Sequence, residues 1–480
     1  MKILALESST SSAKAFLYDT ESGQSVLKTK PYPAMYPDRS IHDADAVYRA
    51  LLEVGREASA GCGDEIALIS LGGTWHSLCL FDRQMEPQTP VYPWCYTGAS
   101  AVCRTLRRDP AYTEDHYRRT GCMVNAIYPF YKLLMLKREG KALRGYRIGG
   151  QGVYNTFRMT GEFVATRCTA SGTGLLDIRE LRYDAALMEE LGIEEEALPR
   201  LLSFEETFPL QAEAARALGV REGVPVIPSN ADGGLNQIGV GAIREGVMTF
   251  SVGTSGALRL STDAPVLPKD PSTWCYLSPK RWLSGAATSG ACNCIDWFKK
   301  NFASGSTYQE LEMEFTREAD LPVFLPFLFG ERCPGWRDER RGRFLRLKAS
   351  HTVKELYRAV QEGVLFNLYQ CYEELVRTAG RPQRIRFSGG ILNSPVWSQM
   401  CADIFQEELE VDRQAQSSLM GGIVLGMERL GAIGRAEDFD SPPAAVIHPR
   451  PERQKAYRER YQRYLDCYRD EGSGKAGGKA

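Results

Sequence analysis

The chain opens KILALESSTSSAKAFLYDTESG, an apolar strand that breaks at a run of small hydroxyl residues and resumes as a second strand before an acidic turn. This is a β-hairpin pattern. It returns near the middle as VMTFSVGTSGALRLST, residues 247–262, with Gly253-Thr254-Ser255-Gly256-Ala257 standing against Ser9-Thr10-Ser11-Ser12-Ala13. A repeat separated by about half of the 480 residues, rather than by the roughly 20–50 of a solenoid, points to two related halves that face each other. Length alone sets a soft prior of about two to four domains.

Lys and Arg number 59 against 60 for Asp and Glu, giving a formal net charge of -1. That balance argues against a nucleic-acid scaffold or a polybasic membrane protein, which need a positive surplus to attract phosphates. The expected partner is a small molecule. Hydrophobic residues at 43% and charged residues at 25% exclude disordered, collagenous and coiled-coil chains. Only Ile3 to Leu6 are apolar before Glu7, too short for a signal-peptide core, and no run reaches the eighteen or so residues of a membrane span. The thirteen cysteines are scattered without a CxxC pair, which fits reduced thiols better than a disulfide framework or a zinc site. A cytoplasmic protein is expected.

Between the hairpins, strand and helix signals alternate, so the fold class is α/β. EIALISLGG (65–73) reads as a buried strand, and VPVIPSNAD (224–232) as another that ends in a polar turn before a Gly-rich helix. A long helix begins after Thr352 as N-cap, keeps Val353, Leu356, Tyr357, Val360, Val364, Leu368, Tyr372 and Leu375 near one stripe, and stops at Gly380. It feeds RIRFSGGILNSPVWSQMCADIF, a strand, a Gly-Gly turn and a second helix. Two domains are expected, residues 1–244 and 245–470, with a disordered tail at 471–480.

Turns rich in Ser, Thr and Gly after strands suit a nucleotide triphosphate, because small residues let backbone N–H groups approach phosphates and hydroxyls add donors. One copy alone reads more simply as a polar turn; two copies weaken that reading. Neither is a Walker A loop or a GxGxxG fingerprint. Asp232, at the end of its strand, is either a helix N-cap or a carboxylate facing a ligand crevice, placed to take a proton from a hydroxyl. Ser388-Gly389-Gly390 is either a tight loop or a flat seat for adenosine.

In this order the motifs resemble the FGGY carbohydrate kinases, relatives of hexokinase, actin and the heat-shock ATPases. The likeness covers almost the whole chain: YRRTGCMVNAIYPFYKLLMLK, ATRCTASGTGLLDIRELRYD, SVGTSGALRL, GERCPGWRDERRGRFLRLKASHT and RFSGGILNSPVWSQMCADIF each resemble a family motif, several of them most like gluconate kinases. The resemblance implies a two-domain actin-like, ribonuclease H-like ATPase fold with an interdomain cleft. It implies transfer of the γ-phosphoryl group of Mg-ATP to a primary hydroxyl of a sugar acid, sugar or polyol. By their motifs, Asp232 is the base, and Thr10, Ser11, Ser12 and Lys14 form the first phosphate hairpin. Gly253 and Thr254 form the second, Gly389, Gly390 and Asn393 the adenosine loop, and Glu7 supports Mg2+ through water. Homodimers are common among such kinases, an expectation carried by resemblance alone.

The departures fall on the first phosphate turn and on the acceptor side. The family's usual Asp-x-Gly-Thr reads Glu7-Ser8-Ser9-Thr10, so Ser9 strains the turn if that position needs φ > 0. Thr74 replaces a Gln before His76, and Trp94-Cys95-Tyr96-Thr97-Gly98 lacks the Asp and Arg of a Trp-x-Asp-x-Arg stretch. The expected acceptor site is therefore rebuilt around Thr74, His76, Tyr96 and Asp232. Three readings follow: a kinase of a gluconate-like acceptor; a kinase of a quite different, xylulose-like or other polyol acceptor; and a nucleotide-binding regulator with weak catalysis, suggested by Glu7 and Ser9.

Overall fold

A computed structural model describes residues 1–36, 38, 40–313, 320–412 and 416–472. The opening hairpin forms as its pattern requires: β1 (Lys2–Ser8) and β2 (Ser12–Asp19) run antiparallel, with Ser8 opposite Ala13. β3 (Ser25–Pro31) flanks β2, while β4 (Ile66–Gly73) lies parallel to β1. β5 (Phe208–Pro209) and β6 (Pro225–Ala231) complete a sheet of order β3-β2-β1-β4-β6-β5. β1, β4 and β6 are buried almost throughout, as near-continuous apolar runs must be when elements cover both faces of a sheet.

The second sheet repeats this plan. β7 (Val247–Val252) and β8 (Gly256–Thr262) form the hairpin, and β9 (Trp274–Leu277) and β10 (Trp282–Thr288) extend it. β11 (Arg384–Ser388), β12 (Leu409–Val411) and β13 (Ala445–Ile447) give the order β9-β10-β8-β7-β11-β12-β13. In both sheets the hairpin's first strand pairs in parallel with a distant strand, which pairs in parallel with the next: β1-β4-β6 and β7-β11-β12. The repeat seen in five small residues is thus a repeat of topology.

Helix α1 (Ala44–Ser59), capped by the Asp43 carboxylate on the Ala46 N–H at 2.7 Å, packs on one face of the first sheet. Helix α2 (Asp232–Gly239) begins directly after β6. Helix α3 (Val353–Ala379) starts where the Glu355 side chain accepts the Thr352 N–H at 2.9 Å, and ends at Gly380 with φ +87. Its stripe is buried from Tyr357 to Leu375, but Val353 is exposed in the first turn, outside the reach of the core. Helix α4 (Pro395–Phe405) follows the Gly-Gly turn, and α5 (Ser417–Arg429) crosses α2. That crossing requires glycine on both helices: a Cβ on Gly239 would stand 1.8 Å from the Ser417 carbonyl oxygen, and one on Gly421 would stand 2.0 Å from that of Leu235. Helix α6 (Gln454–Gly472) enters the stretch expected as a tail, and residues 473–480 lie outside the described residues.

The largest buried cluster joins the two halves, with Trp75, Tyr128 and Tyr131 packed in one core with Trp274, Tyr276 and Leu368. Polar bridges cross the same boundary. The Cys275 N–H donates to Gly121 at 3.0 Å, the Tyr128 and Tyr276 hydroxyls meet at 2.7 Å, and Arg107 pairs with Asp338 at 2.5 Å. All thirteen cysteines are free thiols. Among the described residues no helix is long and apolar enough to cross a membrane.

Candidate active site

The strand ends Ser8, Gly73 and Ala231 sit side by side in the first sheet, so the loops after β1, β4 and β6 open on one place. There Glu7 and Lys14 are paired across the hairpin, with Lys14 Nζ 3.4 Å from Glu7 Oε1. Glu7 is 2% exposed, and its Oε2 has no hydrogen-bond partner. A buried carboxylate oxygen without a donor is costly unless a ligand completes it.

The turn between β1 and β2 is tied shut by its own serines. The Ser9 N–H and Oγ both donate to the Ser12 carbonyl, at 3.0 and 2.8 Å, and the two hydroxyls meet at 3.1 Å. Ser9 is not among the residues with positive φ, so the strain expected there does not arise. Ser11 stays exposed at the tip. The Thr10 hydroxyl accepts the Trp94 indole N–H at 2.9 Å, which links the hairpin to the stretch that lacks the family's Asp and Arg.

Asp232 is the first residue of α2, but Ala231 holds the N-cap position and no side chain caps the helix. The N-cap reading of Asp232 therefore fails. Its Oδ1 accepts only the adjacent Gly233 N–H, at 2.7 Å. Burial, joined by the charge of Glu7, pushes its pKa up to about 6, against the opposing pull of Arg259, the Gly233 N–H and Lys14. A carboxylate so poised is ionised at neutral pH and basic enough to take a proton from a hydroxyl as that oxygen attacks.

The second hairpin is bare where the first is furnished. A Cβ on Gly253 would meet nothing within 4 Å, and the Gly253 carbonyl accepts the Cys292 N–H at 2.8 Å. Gly253, Thr254, Asp296, Lys299, Gly390 and Asn393 line a cavity of about 850 Å³. On the other side of the Gly-Gly turn, Gly389 and Asn393 share a cavity of about 900 Å³ with Asn236 and Asp412. Both volumes suit a small-molecule site. Gly389 has φ +107, and a Cβ there would fall 2.4 Å from the Val252 carbonyl oxygen, so this turn accepts only glycine.

The acceptor-side residues are brought together only in part. His76 adopts φ +68, shares a hydrogen of its Nδ1 with the Gly172 carbonyl at 2.5 Å, and is boxed by Trp75, Tyr128 and Tyr276. Burial pulls its pKa down to about 3, so the ring is neutral. Thr74 and His76 line a cavity of only about 40 Å³, room for water and not for a hexose. Tyr96 packs on the Tyr92 ring at 4.7 Å and reaches Met135 Sδ at 4.0 Å, so its contacts are with these residues and not with Asp232. An aromatic ring two residues beyond Trp94 finds an apolar partner first.

Three residues escaped the sequence reading. Lys132 is fully buried and donates to the carbonyls of His76, Tyr92 and Pro93 at 2.8, 3.1 and 2.7 Å, clamping both acceptor-side loops. Arg259 on β8 and Arg332 in GERCPGW each bury an Nε without a partner. All three lie inside quoted motifs, but the surroundings of each are set by the fold. Among the described residues no cluster of three or more His, Cys, Asp or Glu side chains is arranged to hold a metal.

Comparison with known proteins agrees with this fold. The FGGY family of carbohydrate kinases matches by its N-terminal domain over residues 2–239 and by its C-terminal domain over residues 248–429. The gluconokinase of Bacillus subtilis (strain 168) is 28% identical over 461 residues, covering 92% of this chain and 89% of its own. The xylulose kinase of Escherichia coli (strain K12) is 27% identical over 457 residues, with 92% of each chain covered. Two solved structures from Lactobacillus acidophilus, a gluconate kinase and a ligand-bound xylulose kinase, each superpose with a TM-score of 0.91 at 28% identity, covering 98% of both chains.

Proposed function

The chain belongs to the FGGY family of carbohydrate kinases, ATP-dependent phosphotransferases that act on an alcohol group, and from that premise we propose that its acceptor is a gluconate-like sugar acid phosphorylated on a primary hydroxyl. The observation that carries phosphoryl transfer is Asp232, held near pKa 6 beside Glu7 and Lys14 where the strand ends of the first sheet meet. Asp232 accepts the hydroxyl proton as the oxygen attacks. Lys14 and the amides of the two turns neutralise charge on the transferred group, and the closed cleft excludes water that competes for it.

Glu7 suits the support of Mg2+, because its Oε2 is buried and unpartnered and this ion is commonly held by one or two carboxylates with phosphates and waters. Bound there, the ion would neutralise phosphate charge. Gly253 and Thr254 receive the phosphates, and Gly389, Gly390 and Asn393 the adenosine. Thr74 and His76 shape the acceptor wall, with Lys132 fixing the loop that bears them.

A xylulose-like acceptor is the second reading, favoured by the missing Asp and Arg at residues 94–98 and by equal similarity to xylulose kinases. A coupled ADP-release screen over aldonates, aldoses, ketoses and polyols separates the two. Turnover restricted to neutral acceptors would reverse the choice.

A further inference from the structure

Buried arginines in this protein are matched to carboxylates. Arg340 meets Glu331 at 3.0 Å, Arg358 meets Glu362 at 3.1 Å, and Arg386 meets Glu410 at 3.1 Å. Arg259 and Arg332, both half-buried, break the pattern: neither side chain makes an ion pair or a hydrogen bond among the described residues. A half-buried guanidinium with no anion is partly desolvated without compensation, which leaves it available to a ligand anion.

Their place in the cleft is specific. A Cβ on Gly233 would stand 3.2 Å from Arg259 Nε and 2.3 Å from the Trp75 ring, so the bare first turn of α2 lets this arginine lie beside the base. The Cys333 N–H donates to the Ala287 carbonyl at 3.1 Å, and Ala287 on β10 pairs with Ala257, two residues before Arg259 on β8. Arg259 therefore lies beside Asp232, and Arg332 is held next to the strand that carries Arg259. The charge of each acts on the neighbouring group, Arg259 on Asp232 and Arg332 on Arg259.

We propose that Arg259 and Arg332 form a clamp for the carboxylate of the acceptor, supplying from the second half of the chain the guanidinium that residues 94–98 lack. The proposal rests on the sugar-acid reading above and assigns it to residues. Planar guanidinium forks match a carboxylate in two parallel hydrogen bonds, and a neutral polyol leaves both forks unpaired. Discrimination for the acid and against the alditol of the same skeleton follows from that difference.

The test compares a six-carbon aldonate with the alditol of the same carbon skeleton, using the full chain with Mg-ATP. In Arg332→Gln, kcat/KM for the aldonate is expected to fall about 100-fold, that for the alditol to stay within about threefold, and KM for ATP to stay within about twofold. Arg332→Lys restores part of the loss, since a point charge replaces the fork. Arg259→Gln shifts the same ratio, and it carries the comparison if Arg332→Gln does not fold. An equal fall on both acceptors, or an unchanged ratio in every variant, overturns the clamp. If the wild type phosphorylates the aldonate while the variants leave the ratio unmoved, the clamp alone fails and the sugar-acid reading stands. If the wild type phosphorylates only neutral acceptors, both fail. Calorimetric titration of aldonate provides a readout independent of turnover: binding lost in Arg332→Gln supports the clamp, and absence of binding to the wild type overturns it.

Discussion

The two hairpins share a fold and differ in the side chains they carry. The first carries a buried carboxylate, a cation across the register from it, and a turn whose serines hydrogen-bond to each other. The second carries no charged side chain at its turn: Gly253 faces open space, Thr254 offers a hydroxyl, and the nearby cavity is lined by Asp296, Lys299, Asn393 and the Gly-Gly turn after β11. Two turns of one topology thus differ, one charged and one bare. On the proposed function the difference separates chemistry from nucleotide binding, and substitutions on either side test the separation.

The largest effect is expected at Asp232. Asp232→Asn removes the base and lowers turnover by about 1,000-fold or more, with ATP affinity within about twofold of wild type. In the wild type, activity falls below pH 6, as the carboxyl becomes protonated near its pKa of about 6. The same shift has a stability sign. A carboxyl whose pKa is raised by folding is accommodated in acid and becomes a burden as pH rises through 6, so Asp232→Asn raises Tm at pH 7.5 by roughly 2 °C or more. Unchanged turnover would remove Asp232 from the mechanism, and a lower Tm would contradict the cause given for its shift.

Glu7→Gln is the next step down. It keeps the shape of a buried side chain and removes the charge, so kcat is expected to fall about 100-fold and half-maximal activity to need more Mg2+. ATP affinity measured without the ion stays unchanged. Weakened metal-free binding would mean that the first hairpin is as much a seat as the second, and the division between them would fail.

How much of this was legible depends on how local each signal is. Hairpins, the strand before Asp232 and the Gly-Gly turn follow from contiguous patterns, and all formed where those patterns lie. The Ser9 turn misled in the other direction: a position suspected of strain closes without positive φ, because the Ser12 carbonyl accepts both the Ser9 N–H and its hydroxyl. Tyr96 packs on the neighbouring Tyr92 ring and meets Met135, contacts that motif spacing does not show. Lys132 escaped notice because its partners, the carbonyls of His76, Tyr92 and Pro93, lie on distant segments that packing brings to it. Charge arithmetic was equally blind to Arg259, since a chain of net charge -1 still sets a cation beside Asp232.

A smaller effect belongs to the second hairpin. Gly253 does not have positive φ and its Cβ position is empty, so Gly253→Ala folds normally, with Tm within about 1 °C of wild type. The added methyl enters ligand space, and KM for ATP rises about tenfold, worth roughly 1.4 kcal/mol, while kcat changes little. Gly389→Ala is the contrast: positive φ and the Val252 carbonyl make it lose stability along with nucleotide binding. Equal destabilisation by both would mean that the second turn is merely structural.

The smallest expected effect probes the contact between hairpin and acceptor loop. Lys132 holds the Pro93 carbonyl, the next residue Trp94 donates to the Thr10 hydroxyl at 2.9 Å, and Thr10 belongs to the first phosphate turn. On the proposed function, occupancy of the acceptor wall is expected to be felt one hydrogen bond away from the phosphates. Trp94→Phe retains an aromatic ring and deletes the indole N–H, a loss of about 1 kcal/mol for a neutral hydrogen bond. KM is expected to rise about three- to fivefold for acceptor and for ATP alike, because the bond joins the two sites and belongs to neither. Initial-rate measurements over both substrates read this directly: a matched rise shows that the bond couples the sites, whereas a rise confined to the acceptor shows that Thr10 is fixed by its hairpin alone and that Trp94 merely leans on it.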